Sequence, residues 1–182
     1  MAQLAHSAMI ANVFLALAKK SGRTLTQMHL QKLVYIAHGW NLAIYNEPLT
    51  SDAPMAWDYG PVYRDLWIAL RRYGKSPVTK KIKIDDFDLA SHFGVIDASE
   101  LGASLSDQLS EAPLSEEQRE LVERVFDLYG KFHAFQLSAL THVKGTPWHD
   151  VYKKKGQKYS VIPNELIRDH FTNLAKQREG TE

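Results

Sequence analysis

The sequence predicts a mainly helical fold, a single compact domain of about six helices with a small two- or three-stranded β element. Three observations carry this expectation. Apolar residues recur at the i, i+3, i+4, i+7 spacing of amphipathic helices in successive segments. Those segments start at capping residues and stop at glycine or proline. A chain of 182 residues with 45% apolar and 24% charged residues has the size and composition of one soluble domain with one core, spanning residues 1–182.

The first helix is expected from Ser7 to Lys20, where Ile10, Val13, Phe14 and Leu17 form one stripe and Lys19 and Lys20 suit a helix C-terminus before Gly22. Thr24 and Gln27 have the spacing of a capping box, and Leu30, Leu33, Val34 and Ala37 continue a second helix toward Asn46. Pro48 breaks it. Leu49 to Trp57 is then expected to be extended or irregular, with room for a short edge strand, because Pro54 cannot donate to a central ladder. Beyond Gly60, Pro61 is placed as a helix start, and Val62, Leu66, Ile68, Ala69 and Leu70 carry a third helix to Gly74. Val78 to Ile84 alternates Val78, Lys80, Ile82 and Ile84 against Thr79, Lys81 and Lys83, and predicts a second strand at a lysine-rich sheet edge.

From Asp85 to Pro113 no period is sustained, and the segment is expected to be mostly loop with a helical turn near Phe93. Ser115 and Gln118 form a clear capping box ahead of Leu121, Val122, Val125, Leu128 and Tyr129, with Gly130 past the end. Ala134 to Val143 predicts another helix and Trp148 to Lys155 a short one, and a C-terminal helix is expected over about 163–178. The last residues read as a tail.

Several function classes lose support. Twenty-two Lys and Arg against 21 Asp and Glu leave a net charge of +1, so nucleic acid is not the expected partner. There are no cysteines, hence no disulfides or thiolate chemistry, which fits a reducing cytoplasm. The apolar stretch Ala8 to Ala18 is too short to span a bilayer and has no basic flank before it, so it reads as a buried helix and no membrane is expected. His133, His142 and His149 are nine and seven residues apart and miss the spacing that puts two imidazoles on one helical face, and no HExxH occurs, so no metal is expected. GxGxxG, GxxxxGK[ST] and GxSxG are all absent, which argues against a cofactor and against the common catalytic frameworks. The lysine run from Lys153 to Lys158 reads as a solvated loop.

Two clusters remain, Leu30 to Trp40 (LQKLVYIAHGW) and Ala56 to Trp67 (AWDYGPVYRDLW). Both mix aromatics with a few polar groups, the composition of a core and also of a binding groove with an aromatic wall. Together with Leu140 to Tyr152 (LTHVKGTPWHDVY) they resemble the Panacea-domain antitoxin family of SocA-like and phage-associated GepA-like proteins. The shared elements are the helix from Leu30 to Tyr35, the joint from Ala56 to Val62, and the late set Thr141, His142, Pro147 and Trp148, in order over roughly residues 7–155.

The resemblance implies an antitoxin without enzymatic activity, neutralising by direct binding a cognate protein toxin encoded beside it, with members also found in prophages. Two rivals stand beside it: an adaptor delivering the toxin to a cytosolic protease, and a small catalytic domain with His38 or His142 as general base. The residues expected to bind the partner or build the motif are Gln31, Lys32, Tyr35, His38, Trp57, Tyr59, Gly60, Pro61, Val62, Arg64, Thr141, His142, Pro147 and Trp148. Trp57 and Tyr59 are expected against the second helix, with Trp148 in the same neighbourhood and a pocket edged by Gln31, Lys32, His38 and His142. Lys32 and His38 are expected to be partly exposed, so that replacing them spares stability and weakens neutralisation. The segment from Ile84 to Pro113, which the family pattern does not fix, is expected to help set which toxin is bound.

Overall fold

In a computed structural model, residues 4–83 and 112–179 are described. The expected loop and helical turn near Phe93 fall outside them. Helix α1 runs from Ser7 to Lys20, capped by His6, whose Nδ1 accepts from Ala8 N at 3.2 Å. Helix α2, Gln27–Tyr45, starts from Thr26, so the capping box sits two residues later than the Thr24 and Gln27 spacing suggests. His29 takes the place usually held by Glu or Gln: Thr26 Oγ1 accepts from His29 N, and His29 Nδ1 accepts from Thr26 N at 3.1 Å. The helix ends at Asn46 in the left-handed region, φ 56°.

Every residue from Leu30 to Leu42 is buried. A helix buried on all sides is the axle of a domain, and α2 is packed by α1, by α4 (Glu116–Tyr129), by α5 (Ala134–His142) and by α6 (Asn164–Glu179). Gly39 lets α6 come close: a Cβ there would lie 2.2 Å from Phe171 Cε2. Trp40 and Phe171 meet edge to face, centroids 5.2 Å apart. Helix α4 begins at the expected Ser115 and Gln118 box, and α5 at His133, whose backbone N donates to Gln136 Oε1 at 2.8 Å.

The sheet departs from the expectation. Strand β1, Met55–Trp57, pairs antiparallel with β2, Gly60–Val62, through a two-residue turn at Asp58 and Tyr59. Pro61 therefore lies in a strand and does not start a helix. It can do so because it faces Ala56, whose N and O point the other way: Ala56 N donates to Ser160 O at 2.8 Å and its O accepts from Tyr159 N at 2.7 Å. No ladder bond is asked of the missing proline N–H. The chain around residues 159–162 thus lies along the outer edge of β1, with a bridge between Met55 and Val161 and Ile162 N donating to Pro54 O at 2.8 Å.

Helix α3 starts later than expected, at Arg64, and runs to Leu70 before a 3₁₀ turn at Arg71–Tyr73. The strand expected from Val78 is absent from the described part of that segment, up to Lys83. Its backbone is tied elsewhere. Val78 N donates to Leu25 O at 2.8 Å, and the Asn12 side chain holds Ile82 N and O at 2.8 and 3.0 Å. Val78 and Ile82 are buried while Lys80 between them is exposed, so the alternation came from an extended chain anchored at two points on the core. The short helix after Trp148 is a π-helix, His149–Lys154, whose wide turn is closed by Lys155 N bonding to Asp150 O at 3.0 Å.

Candidate functional site

The hairpin formed by β1 and β2 is held from three sides, and the sequence motifs supply most of the holding groups. From α2, the Gln31 side chain pairs with the Tyr63 backbone as a strand would, Tyr63 N donating to Oε1 at 2.8 Å and Nε2 donating to Tyr63 O at 3.1 Å. One turn position on, Lys32 Nζ donates to Tyr59 O at 2.7 Å and to Pro61 O at 2.9 Å. Lys32 is 1% exposed, and burial alone pushes its pKa down to about 7. From α5, Ser138 Oγ donates to the same Tyr59 carbonyl at 3.2 Å. From the chain before the π-helix, Trp148 Nε1 donates to Trp57 O at 2.7 Å.

Gly60 sits where these groups converge. Its φ of +99° favours glycine, and a Cβ would lie 2.7 Å from both Lys32 Nζ and Thr141 Oγ1. Behind it, His142 Nδ1 donates to Ser138 O at 2.6 Å, and its ring lies 4.0 Å from that of Trp148. Trp148 in turn stacks on Tyr152, centroids 4.7 Å apart and planes at 15°.

A second network lies along α2. His38 is 1% exposed; its Nδ1 accepts from Thr50 N at 3.3 Å and its Nε2–H donates to Asn164 Oδ1 at 2.9 Å. Burial lowers its pKa, so the neutral ring is favoured. With the acceptor nitrogen already occupied by a backbone N–H, His38 has no lone pair to offer as a general base. Thr50 Oγ1 links this network to Tyr63 Oη at 3.4 Å.

The structure therefore brings together Gln31, Lys32, Trp57, Tyr59, Gly60, Pro61, Thr141, His142 and Trp148 around one hairpin. Val62 and Pro147 are buried beside them. Tyr35 and His38 do not join this cluster: Tyr35 is buried edge-on against Phe171, centroids 6.1 Å apart, and burial raises its phenol pKa. Arg64 is exposed, its Nη1 3.9 Å from Asp65 Oδ1. The expectation that Lys32 and His38 are partly exposed is overturned, because both are enclosed by groups that satisfy their polar atoms. The expected pocket edged by Gln31, Lys32, His38 and His142 is in consequence a filled, hydrogen-bonded interior.

Sequence reasoning missed Ser138, Thr50, Tyr63 and Asn164, ordinary residues by type whose partners lie far along the chain. Asp58, set among aromatics, is legible in the sequence as a group in need of partners, but Tyr152 and Tyr159 as those partners are not. Asp58 accepts from the hydroxyls of Tyr152 and Tyr159, the latter at 3.0 Å, and these bonds hold its pKa below the usual carboxylate value. Trp57 packs on Trp67 and on Tyr159, with centroids 5.4 and 5.9 Å away. Asp58 between two aromatics was the available signal. Among the described residues, no group of three or more His, Asp or Glu side chains is placed to hold a metal ion, and no helix is long and apolar enough to cross a membrane.

The family model described as "Antitoxin SocA-like, Panacea domain" matches residues 30–149, a span that opens at the first residue of the α2 motif and closes just after Trp148. The chain belongs to the SocA-like Panacea-domain family. A curated member of similar sequence, Antitoxin SocA from Caulobacter vibrioides (strain NA1000 / CB15N), is 28% identical over 166 residues, covering 89% of this chain and 80% of that protein. No solved structure matches the chain. Within this Panacea domain most of the motif residues are internal, holding the hairpin. Tyr59, 71% exposed, and Arg64 reach the surface, with Trp57 and His142 half-buried between.

Proposed function

We propose that this Panacea-domain protein is an antitoxin that neutralises a cognate protein toxin by binding it directly, as a stoichiometric inhibitor without catalysis, in the cytoplasm. The observation that carries the reading is the coincidence of the family match with the hairpin clamp. Residues inside the family-matched span hold the hairpin tip from inside and leave Tyr59 exposed on a braced loop. A preorganised loop with exposed aromatics loses little entropy on association, and this favours a binding role. The occupied nitrogens of His38 weigh against the general-base alternative at that residue.

The product of the neighbouring open reading frame is the expected toxin. Co-expression of the two genes tests the reading. Restored growth with an intact, purifiable 1:1 complex supports inhibition by binding. Restored growth with rapid loss of the partner, abolished in a protease-deficient host, would instead assign the protein as a proteolytic adaptor. Restored growth with a stable partner and no complex would end the binding reading.

A further inference from the structure

The tip of the hairpin is the centre of an exposed aromatic patch bordered by lysines, and most of that border lies outside the shared motifs. Tyr59 is 71% exposed and Tyr159 51% exposed. They flank Asp58, which follows Trp57 and accepts from the Tyr159 hydroxyl. Phe135, 74% exposed, stands one turn along α5 from Ser138, the residue whose hydroxyl bonds Tyr59 O. Tyr159 is held at φ 59°, a conformation non-glycine residues seldom adopt. Its N–H pairs with Ala56 O, and its ring lies edge-on against Trp57 with about half of the residue left exposed.

Along one side of this patch run Lys153, Lys154, Lys155 and Lys158, all exposed. Lys158 Nζ lies 5.1 Å from the Tyr152 ring centroid and Lys153 Nζ 5.5 Å from it, which ties the strip to the hairpin. Asp58 is the carboxylate within the patch, and two tyrosine hydroxyls already occupy it. Four lysines against the engaged Asp58 and the half-buried Asp150 of the same π-helix leave the strip with an excess of positive charge. Exposed aromatics on a rigid support beside unmatched charge have the composition of an interface centre with its rim.

We infer that the toxin is gripped here: Tyr59, Tyr159 and Phe135 cover an apolar patch of the toxin, and the strip from Lys153 to Lys158 meets carboxylates at the edge of that patch. The inference rests on the antitoxin reading and adds the surface and the chemistry of its partner. A protein is favoured over nucleic acid because Asp58 sits inside the patch, where it would repel a phosphate backbone.

The test uses the full chain and, as probe, the neighbouring gene's product, with affinity measured at 50 and 500 mM salt. Tyr59→Ala and the pair Lys154→Glu, Lys155→Glu are compared with Arg124→Glu on the exposed face of α4. The side chains of Tyr59, Lys154 and Lys155 are exposed and make no hydrogen bond, ion pair or ring contact with the described residues, so these variants should melt with the wild type. Tyr59→Ala is expected to weaken binding more than tenfold at both salt concentrations. The lysine pair is expected to weaken it about tenfold at 50 mM, with a smaller loss at 500 mM because salt screens the rim. Arg124→Glu should change little. No complex with the wild type would end the antitoxin-by-binding reading and this one with it. A wild-type complex bound equally well by Tyr59→Ala and the lysine pair would overturn this surface alone. Full toxin affinity in the lysine pair, joined to loss of binding to a 20-nucleotide single-stranded RNA that the wild type binds, would make the strip a nucleic-acid site and also overturn it.

Discussion

Replacing Lys32 by Met isolates the group on which the hairpin clamp turns. Lys32 is enclosed with two backbone carbonyls, and no carboxylate, as its hydrogen-bond acceptors among the described residues, and burial sets its pKa at about 7 against 10.5 for an ordinary lysine. A neutral amine has two hydrogens, one each for Tyr59 O and Pro61 O, so the geometry suits the uncharged form. The unfolded chain holds this proton up to pH 10.5 while the folded chain releases it near 7. The unfolded state therefore binds more protons in that window, and stability rises with pH across it. Below about pH 7 the full penalty is present. Between pH 7.5 and 9.5 the gain from this one group is about 2–3 kcal/mol, at about 1.36 kcal/mol per pKa unit. Tyr35 and Tyr63, whose pKa values are raised by burial, oppose the trend only above pH 10, which sets the upper limit of the useful range.

In Lys32→Met the rise disappears. The variant also leaves Pro61 O without its donor, at a cost of about 1–3 kcal/mol, whereas Tyr59 O keeps Ser138 Oγ. Urea melts of both proteins from pH 7.5 to 9.5 measure the difference. The wild type should gain about 2–3 kcal/mol relative to the variant over that interval, roughly 5–10 °C in Tm for a chain of this size. Parallel stability curves would refute the argument and show that Lys32 stays charged in the fold.

His38→Ala should cost about 2–3 kcal/mol, seen as a lower urea midpoint, because it strips Thr50 N and Asn164 Oδ1 of their partner inside the core. Since burial lowers the His38 pKa, the unfolded chain takes up its proton first as pH falls below 6.5, and the wild type loses stability there; the variant should lose less, read from melts at pH 5.5 and 7.5. Gly39→Ala places a Cβ 2.2 Å from Phe171 Cε2 and should destabilise by about 1–3 kcal/mol. Adding Phe171→Leu should then cost less than the two single changes sum to, a coupling that a double-mutant cycle reads directly. Trp148→Phe removes the donor to Trp57 O and should lower stability by about 1–2 kcal/mol with growth rescue retained at low temperature.

Helix bounds were legible where a cap announced them. Ser115 with Gln118, and Lys19 and Lys20 before Gly22, place α4 and α1 to within a residue because caps are local chemistry. The start of α2 was misplaced because a histidine performs a role usually held by Glu or Gln, and residue type alone does not announce it. The β pairing was misread for two reasons. Gly60 followed by Pro61 has the look of a helix start, and the alternation after Val78 reports contact with the core without revealing whether a strand lies alongside. In the candidate site the company of residues was legible and its exposure was not. Lys32 and His38 are surface residues by type, and much of what satisfies them is backbone: the carbonyls of Tyr59 and Pro61 for Lys32 and, beside the Asn164 side chain, the N–H of Thr50 for His38. Backbone groups leave no trace in a side-chain pattern, so a motif made to satisfy them reads as a binding face.

The bond from Trp148 to Trp57 O spans 91 residues, and the edge of β1 is covered by chain still further on. A ribosome adding about 5–20 residues per second needs roughly 5–20 s to cross that distance. For that interval β1 and β2 have left the ribosome without Trp148, Tyr152 or Tyr159 to hold them. The hairpin tip is thus among the last parts of the chain to take shape during synthesis. A transcript truncated before Trp148 would yield helices α1 to α5 with a slack tip, and each new molecule completes its tip only after most of its length has been made.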